Sequence, residues 1–257
     1  MNYNYHTHTH RCGHASGDEE TYIQNAIKTG ITHMGFSDHM PFEFPDGYQS
    51  YYRVPVNETG DYFKVLSALR EKYRDKIDIK IGFEMEYYPS HFEKMLDFAR
   101  KSGAEYLILG QHFLGEEHPD GYYCGSETNR EEHMCEYASL VISAMETGVF
   151  TYVAHPDVIN FTGDREVYER ESRKICKASA RLGIPLEVNF LGIRARRNYP
   201  DPDFWRIARE EGAPVTFGHD AHSINSAGVN PETLDVARKL VAKCALRYIG
   251  KPDITPI

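Results

Sequence analysis

Thiolate chemistry has little to work with in this chain, whose 257 residues include only five cysteines. Cys12, Cys124, Cys135, Cys176 and Cys244 are odd in number, widely spread and without a C-x-x-C pair, so neither a disulfide framework nor a cysteine zinc cluster is expected. Long apolar runs are missing: none approaches the ~20 residues a membrane span needs, and no membrane partner is expected. The N-terminal MNYNYHTHTH has neither a basic n-region nor an apolar h-region. No secretory signal is therefore read, and the cytoplasm is the default compartment. Basic charge is also short, 29 Lys and Arg against 38 Asp and Glu for a net −9, which disfavours a nucleic-acid partner. A small anionic substrate stays open, because bound cations can invert the local field. There is no dinucleotide fingerprint, no internal repeat and no low-complexity segment.

Histidine is what the chain has in plenty, 13 in all, within a globular composition of 41% hydrophobic and 26% charged residues. Short β-rich runs alternate with longer helical ones. Strands are predicted at Asn2–Tyr5, Thr32–Ser37, Ile79–Phe83, Tyr106–Gly110, Thr151–Ala154, Pro185–Asn189 and Val215–Gly218, with Leu246–Ile249 ambiguous. Ser16-Gly17-Asp18-Glu19 has capping-box spacing and opens a helix that ends near Gly30. Further helices are predicted at Asp61–Asp75, from Ser90 to just before Gly103, and at Arg130–Thr147, Glu166–Leu182, Asp203–Glu211 and Pro231–Ala245. Strict alternation of this kind implies a parallel sheet covered by helices. Seven units in one domain over residues 1–257 favour a closed or nearly closed α/β barrel over an open doubly wound sheet. The long segment from Met40 to Gly60, rich in Pro, Gly and Tyr, reads as a lid or binding loop, with Tyr48, Tyr51, Tyr52 and Arg53 near the mouth.

The strand ends carry the chemistry. The first runs into His6-Thr7-His8, the second into Ser37-Asp38-His39, the third into Gly82-Phe83-Glu84. The fourth leads to Gln111-His112, the fifth to His155-Pro156 and the seventh to Asp220-Ala221-His222. Residues i and i+2 of an extended segment share a side about 6.5–7 Å apart, so His6 and His8 can converge on one ion. Imidazoles and carboxylates without thiolate suit Zn, Fe or Mn. A single His-x-His is weak support for a metal site; six strand ends delivering His, Asp or Glu to the face where barrel enzymes build active sites is strong support. Either Glu84 or its same-side neighbour Glu86 suits the third strand's ligand. Most of His10, His33, His91, His118, His133 and His219 are read as solvated or hydrogen-bonded.

Taken together, H-x-H-T at His6–Thr9, S-D-H at Ser37–His39, G-x-E at Gly82–Glu84 and D-A-H at Asp220–His222 resemble the PHP superfamily, over essentially the whole chain. Within it, S-D-H-M-P at Ser37–Pro41 is similar to the stand-alone histidinol-phosphate phosphatase subgroup. His219 stands where the family commonly has Ser, and the segment at Gln111-His112 departs from the G-S-x-H form. The resemblance implies a distorted seven-stranded TIM-like barrel, three divalent metal ions (Zn, Fe or Mn) and a small phosphorylated substrate. It further implies that His6, His8, Glu84 and Asp220 hold the first ion, Glu84 with His112 and His155 the second, and His14, His39 and His222 the third. On this reading Arg194, Arg196 and Arg197, after the one strand without a ligand, are candidates to grip phosphate, and Asn189 to position substrate. Asp18 and Asp38 are candidate proton donors or partners of the histidines, Asp18 alternatively a helix N-terminal charge. The expected reaction is hydrolysis of L-histidinol phosphate. The competing readings are a PHP phosphoesterase for another small ester or nucleotide, an amidohydrolase-like metallohydrolase, and a metal-storing barrel without turnover.

Overall fold

All seven expected strand–helix units form, and an eighth short strand joins them. The computed structural model describes residues 1–257. The chain begins with β1 (Tyr3–Asn4), α1 (Glu19–Lys28), β2 (His33–His39), α2 (Thr59–Tyr73), β3 (Asp78–Met85), α3 (Phe92–Ser102) and β4 (Leu107–Leu109). A small hairpin follows, β5 (Phe113–Leu114) with β6 (Tyr122–Tyr123), then α4 (Glu131–Glu146), β7 (Phe150–Val153), α5 (Arg165–Leu182) and β8 (Leu186–Asn189). The chain continues through α6 (Phe190–Ala195), α7 (Pro202–Glu210), β9 (Pro214–Gly218), α8 (Ile224–Ala227), α9 (Pro231–Cys244) and β10 (Arg247–Tyr248). The ambiguous Leu246–Ile249 run therefore contains a strand. No helix is long and apolar enough to cross a membrane.

The main sheet runs β1-β2-β3-β4-β7-β8-β9-β10, with parallel pairing throughout. Strand order follows chain order because each connection carries a helix back over the same face. The curl closes incompletely. Beyond the regular strands Thr7 bridges Ala221, with His8 N donating to Ala221 O at 2.9 Å and Ala221 N to His6 O at 3.2 Å. Lower down, β10 occupies the edge of β9 at Pro214 and Val215, which keeps β1 from pairing along it.

Two apolar layers hold this shape. A cluster of 58 buried residues fills the space between sheet and helices. A second cluster, Tyr3, Tyr5, Tyr106, Ile108, Tyr152 and Ala154, crosses the inside of the curl. There Tyr106 donates its hydroxyl to Tyr5 O at 2.9 Å and Tyr3 Oη pairs with Thr216 Oγ1 at 2.9 Å, while Tyr152 Oη is buried without a partner. These tyrosines plug the lower half of the barrel and leave the polar groups at the C-terminal ends of the strands.

One local expectation is corrected. Ser16 does not cap α1: Asp18 does, accepting from Thr21 N at 2.9 Å and from Thr21 Oγ1 at 2.7 Å. Asp has the stronger N-cap geometry one residue before the helix, and Ser16 instead bridges to Ser223.

Candidate metal centre

Except for His14, which follows a 3-10 turn, every candidate ligand stands at or just beyond a strand's C-terminal end, and five of the histidines converge on Glu84. This carboxylate ends β3 almost fully buried. A Cβ on Gly110 would lie 2.0 Å from its Oε1, so the neighbouring strand must carry glycine there. Glu84 Oε2 lies 3.5 Å from His6 Nε2, 3.3 Å from His8 Nε2 and 3.1 Å from His39 Nδ1. Its Oε1 lies 2.9 Å from His155 Nε2 and 3.4 Å from His112 Nε2. From just beyond β9, Asp220 Oδ1 comes within 3.6 Å of His6 Nε2 and 3.4 Å of His8 Nε2. His14, His39 and His222 form a further group at the mouth, their ring nitrogens within 4.8 Å of one another. His39 stands between groups, since it also clusters with Glu84 and His112.

The spacings of His6, His8, Glu84 and Asp220 fit metal coordination better than hydrogen bonding, whereas His155 and His39, at 2.9 and 3.1 Å, stand at hydrogen-bond distance from Glu84. Four ligands at the 2.0–2.2 Å usual for zinc stand about 3.3–3.6 Å apart at tetrahedral angles, whereas N–H···O bonds sit at about 2.9–3.0 Å. The His6, His8, Glu84 and Asp220 contacts, 3.3 to 3.6 Å, match the first range. Consistently, His6 Nε2, both His8 nitrogens and Glu84 Oε2 are buried without a hydrogen-bond partner. Protein interiors rarely tolerate such a cluster of bare polar atoms unless something else satisfies them. Backbone strain collects at the same place, with φ of 29° at His155 and 48° at Asp220.

The electrostatics agree. Burial raises the Glu84 carboxyl, but His112, His6 and His39 more than offset this and hold it well below its ordinary range. Asp220 is likewise held low against burial, by His6, His222 and His8. Burial, reinforced by His222, pushes His8 down to about 3, and burial with His8 nearby keeps His39 well below its usual value. Ionised carboxylates beside neutral imidazoles are the protonation states that metal ligands require; without an ion, His6 and His112 depart from this, raised against burial chiefly by Glu187 and by Glu84 respectively.

Behind the ligands lies a layer the sequence reading missed. Glu187, on the strand read as lacking a ligand, is fully buried and takes His6 Nδ1 at 2.8 Å. It also accepts from His155 N at 3.1 Å and Asn189 Nδ2 at 2.8 Å. Gly218 makes room for it, since a Cβ there would lie 1.6 Å from Glu187 Oε1. Glu86 does the same for His112, receiving its Nδ1 at 2.9 Å. That separates the two glutamates: Glu84 faces the cluster, and Glu86 orients one of its imidazoles. The only hint in sequence was an acidic residue at an otherwise apolar strand position.

The remaining candidates scatter. A cavity of about 460 Å³ opens over the cluster, walled partly by Tyr52, Phe113, Tyr123, Arg197 and Tyr199. Among the three arginines only Arg197 lines it, donating to Tyr199 Oη at 3.0 Å. Arg194 is turned to the carbonyls of His219 and Asp220, at 2.9 and 3.3 Å, and holds the end of β9 in place. Arg196 is exposed at the C-cap of α6. Asn189 caps α6 through Gly192 N and donates to Glu187 and Asp220, so its amide is spent on the scaffold. Asp18 is exposed in its helix cap. Asp38 is buried against Thr9 N at 2.7 Å, and burial pushes it up to about 7; neither aspartate lines the cavity. The spare histidines mostly find carboxylates or hydroxyls, as His33, His91, His118 and His133 do. His219 differs, being fully buried against Phe190 with Nε2 unpartnered.

Comparison with known proteins gives the same picture. A probable histidinol-phosphatase of Deinococcus radiodurans is 27% identical over 228 residues, covering 87% of each chain. The histidinol-phosphatase of Bacillus subtilis is 24% identical, over 87% of this chain and 94% of its own. Among solved structures, the histidinol phosphate phosphatase of Lactococcus lactis, complexed with Zn, L-histidinol and phosphate, superposes with a TM-score of 0.73. That match has 21% identity and covers 96% of this chain and 95% of the other. The PHP domain family matches residues 4–190, and the chain is a member of that family.

Proposed function

We propose that this protein hydrolyses L-histidinol phosphate to L-histidinol and phosphate, using three divalent ions of Zn, Fe or Mn. The observation that carries the metal chemistry is the set of coordination-length contacts around Glu84 and Asp220. The substrate assignment is supported by relatives of that name along most of the chain. His6, His8, Glu84 and Asp220 would hold one ion, Glu84 with His112 and His155 a second, and His14, His39 and His222 a third.

When bound, such ions acidify water and neutralise phosphoryl charge. The chain's own groups do the rest. Glu187 and Glu86 accept the Nδ1–H of His6 and His112, which turns each Nε2 lone pair toward the cluster. Asp38 holds Thr9 N and so pins the His6–Thr9 segment. On the cavity wall Arg197 keeps guanidinium N–H groups beyond the one spent on Tyr199, in the fork that suits a phosphate. Tyr52, Phe113 and Tyr123 offer faces to a small aromatic ring such as imidazole. A cavity of this size takes a small ester, and the net −9 favours it over long nucleic acid. Five free cysteines support the cytoplasm as its compartment.

The test is phosphate release from L-histidinol phosphate with added Mn, Zn or Fe, with and without chelator. Chelator-sensitive turnover with kcat/KM above ~10⁴ M⁻¹s⁻¹ is expected. If other phosphomonoesters turn over equally well, the substrate assignment falls; if no phosphate ester does, the phosphatase reading falls.

A further inference from the structure

Arg53 was expected at the cavity mouth. Instead it is 3% exposed beneath the long loop that carries it. All three guanidinium nitrogens are engaged. Nη1 lies 2.8 Å from Glu86 Oε2 and donates to Met40 O at 3.1 Å; Nε donates to Glu117 Oε2 at 2.6 Å and Nη2 to Tyr88 Oη at 3.1 Å. One cation thus joins four segments: the loop, its hinge at Met40, the end of β3 and the stretch after β5. Glu86 carries the chain of contacts onward, because its other oxygen receives His112 Nδ1 at 2.9 Å. His112 Nε2 then faces Glu84 Oε1 at 3.4 Å.

We propose that Arg53 is a positioning residue that couples seating of the 41–52 loop to the metal-ligating orientation of His112. This rests on the reading of His112 as a ligand. Glu86 can fix the imidazole only while its own carboxylate is fixed, and Arg53 is the cation that fixes it. Removing the guanidinium leaves Glu86 and Glu117 buried together without a counter-charge. When the loop lifts, Arg53 leaves with it and His112 loses the partner that sets its tautomer. The coupling is reciprocal: an ion at His112 seats the loop, and a seated loop tightens the ion. Glu117 belongs to the latch but not to the relay. The two residues therefore separate a purely structural role from a positioning one.

The experiment compares wild type, Arg53→Met, Arg53→Lys and Glu117→Gln, each checked for folding by circular dichroism. Two readouts are taken: metal stoichiometry and affinity by chelator competition with Zn or Mn, and the rate of limited proteolysis within residues 41–52 with and without metal. Loss of an outer partner typically costs 10–100-fold in metal affinity. R53M should therefore weaken one ion by that factor and speed loop cleavage. R53K, with charge but no fork, should recover part of the affinity while the loop stays labile. E117Q should loosen the loop and, through the coupling, weaken the same ion by less than R53M does, because Arg53 still stands beside Glu86 whenever the loop is seated. A folded R53M that binds all ions as wild type does overturns the proposal, and so does an E117Q that loses affinity equally. If R53M does not fold, the wild type alone decides: chelation should accelerate cleavage of the loop, and equal rates with and without metal overturn the coupling. A wild type that binds no metal refutes instead the metal-centre reading beneath it.

Discussion

Replacing Glu187 by Gln tests the hidden layer of the site without altering any residue that faces the cavity. The side chain keeps its size but exchanges one acceptor oxygen for an NH2 group, and three donors surround it: His6 Nδ1, His155 N and Asn189 Nδ2. At least one donor must then face another donor. The lost bond is charge-assisted, worth about 1.5–3 kcal/mol, which corresponds to roughly 10–100-fold in an equilibrium constant. If His6 is the donor released, its ring is free to turn and the loss appears as metal affinity. Chelator competition should show one ion weakened by that factor, with circular dichroism unchanged. Gly218→Ala should reproduce the effect with the charge intact, because its Cβ would lie 1.6 Å from Glu187 Oε1 and force that carboxylate away. Metal affinity within twofold of wild type in both folded variants would refute the argument that Glu187 sets His6.

Three further outcomes follow from the same geometry. Arg197→Ala should lower kcat/KM on L-histidinol phosphate about 10–100-fold, from loss of a charged hydrogen bond to phosphate; unchanged kinetics remove it from the site. Asp18→Ala should cost about 1 kcal/mol of stability in denaturant titration, the usual value of a lost N-cap, while kcat stays at the wild-type level. A falling kcat would return Asp18 to the catalytic machinery. Chelation should lower the melting temperature, since ions at 100 times their Kd stabilise by about 2.7 kcal/mol, or roughly 5–10 °C at this chain length; identical melts with and without metal would refute the fit of the donors to ions.

The sequence displayed the first layer of this site and concealed the second. Ligands such as His39, Glu84 and His155 punctuate strand ends, where period-2 apolar runs stop, so their position is legible without coordinates. Glu187 and Glu86 lie within one or two residues of such runs and look like solvated alternations; only the folded sheet shows that both are buried. His14 follows a 3-10 turn rather than a strand, and only the family resemblance singled it out. Helices came through well because Gly103, Gly183 and their like mark the ends, and α5 starts one residue from its expected position. The β5–β6 hairpin and the short α6 and α8 were missed, being too brief to establish a period. The arginines failed as a group because sequence places a side chain near a strand end but not its direction. Arg194 turns to backbone carbonyls while Arg197, three residues on, faces the cavity.

The narrow stitch between Thr7 and Ala221 also has a bearing on biogenesis. The first group of candidate ligands draws His6 and His8 from the segment after β1 and Asp220 from the segment after β9, far apart in the chain. Domains commonly begin to fold while synthesis continues, yet this group is incomplete until β9 has emerged. Until then a nascent chain would carry those imidazoles with no full coordination set to offer. On the proposed ligand assignment, full loading of that ion waits until the segment after β9 meets His6 and His8.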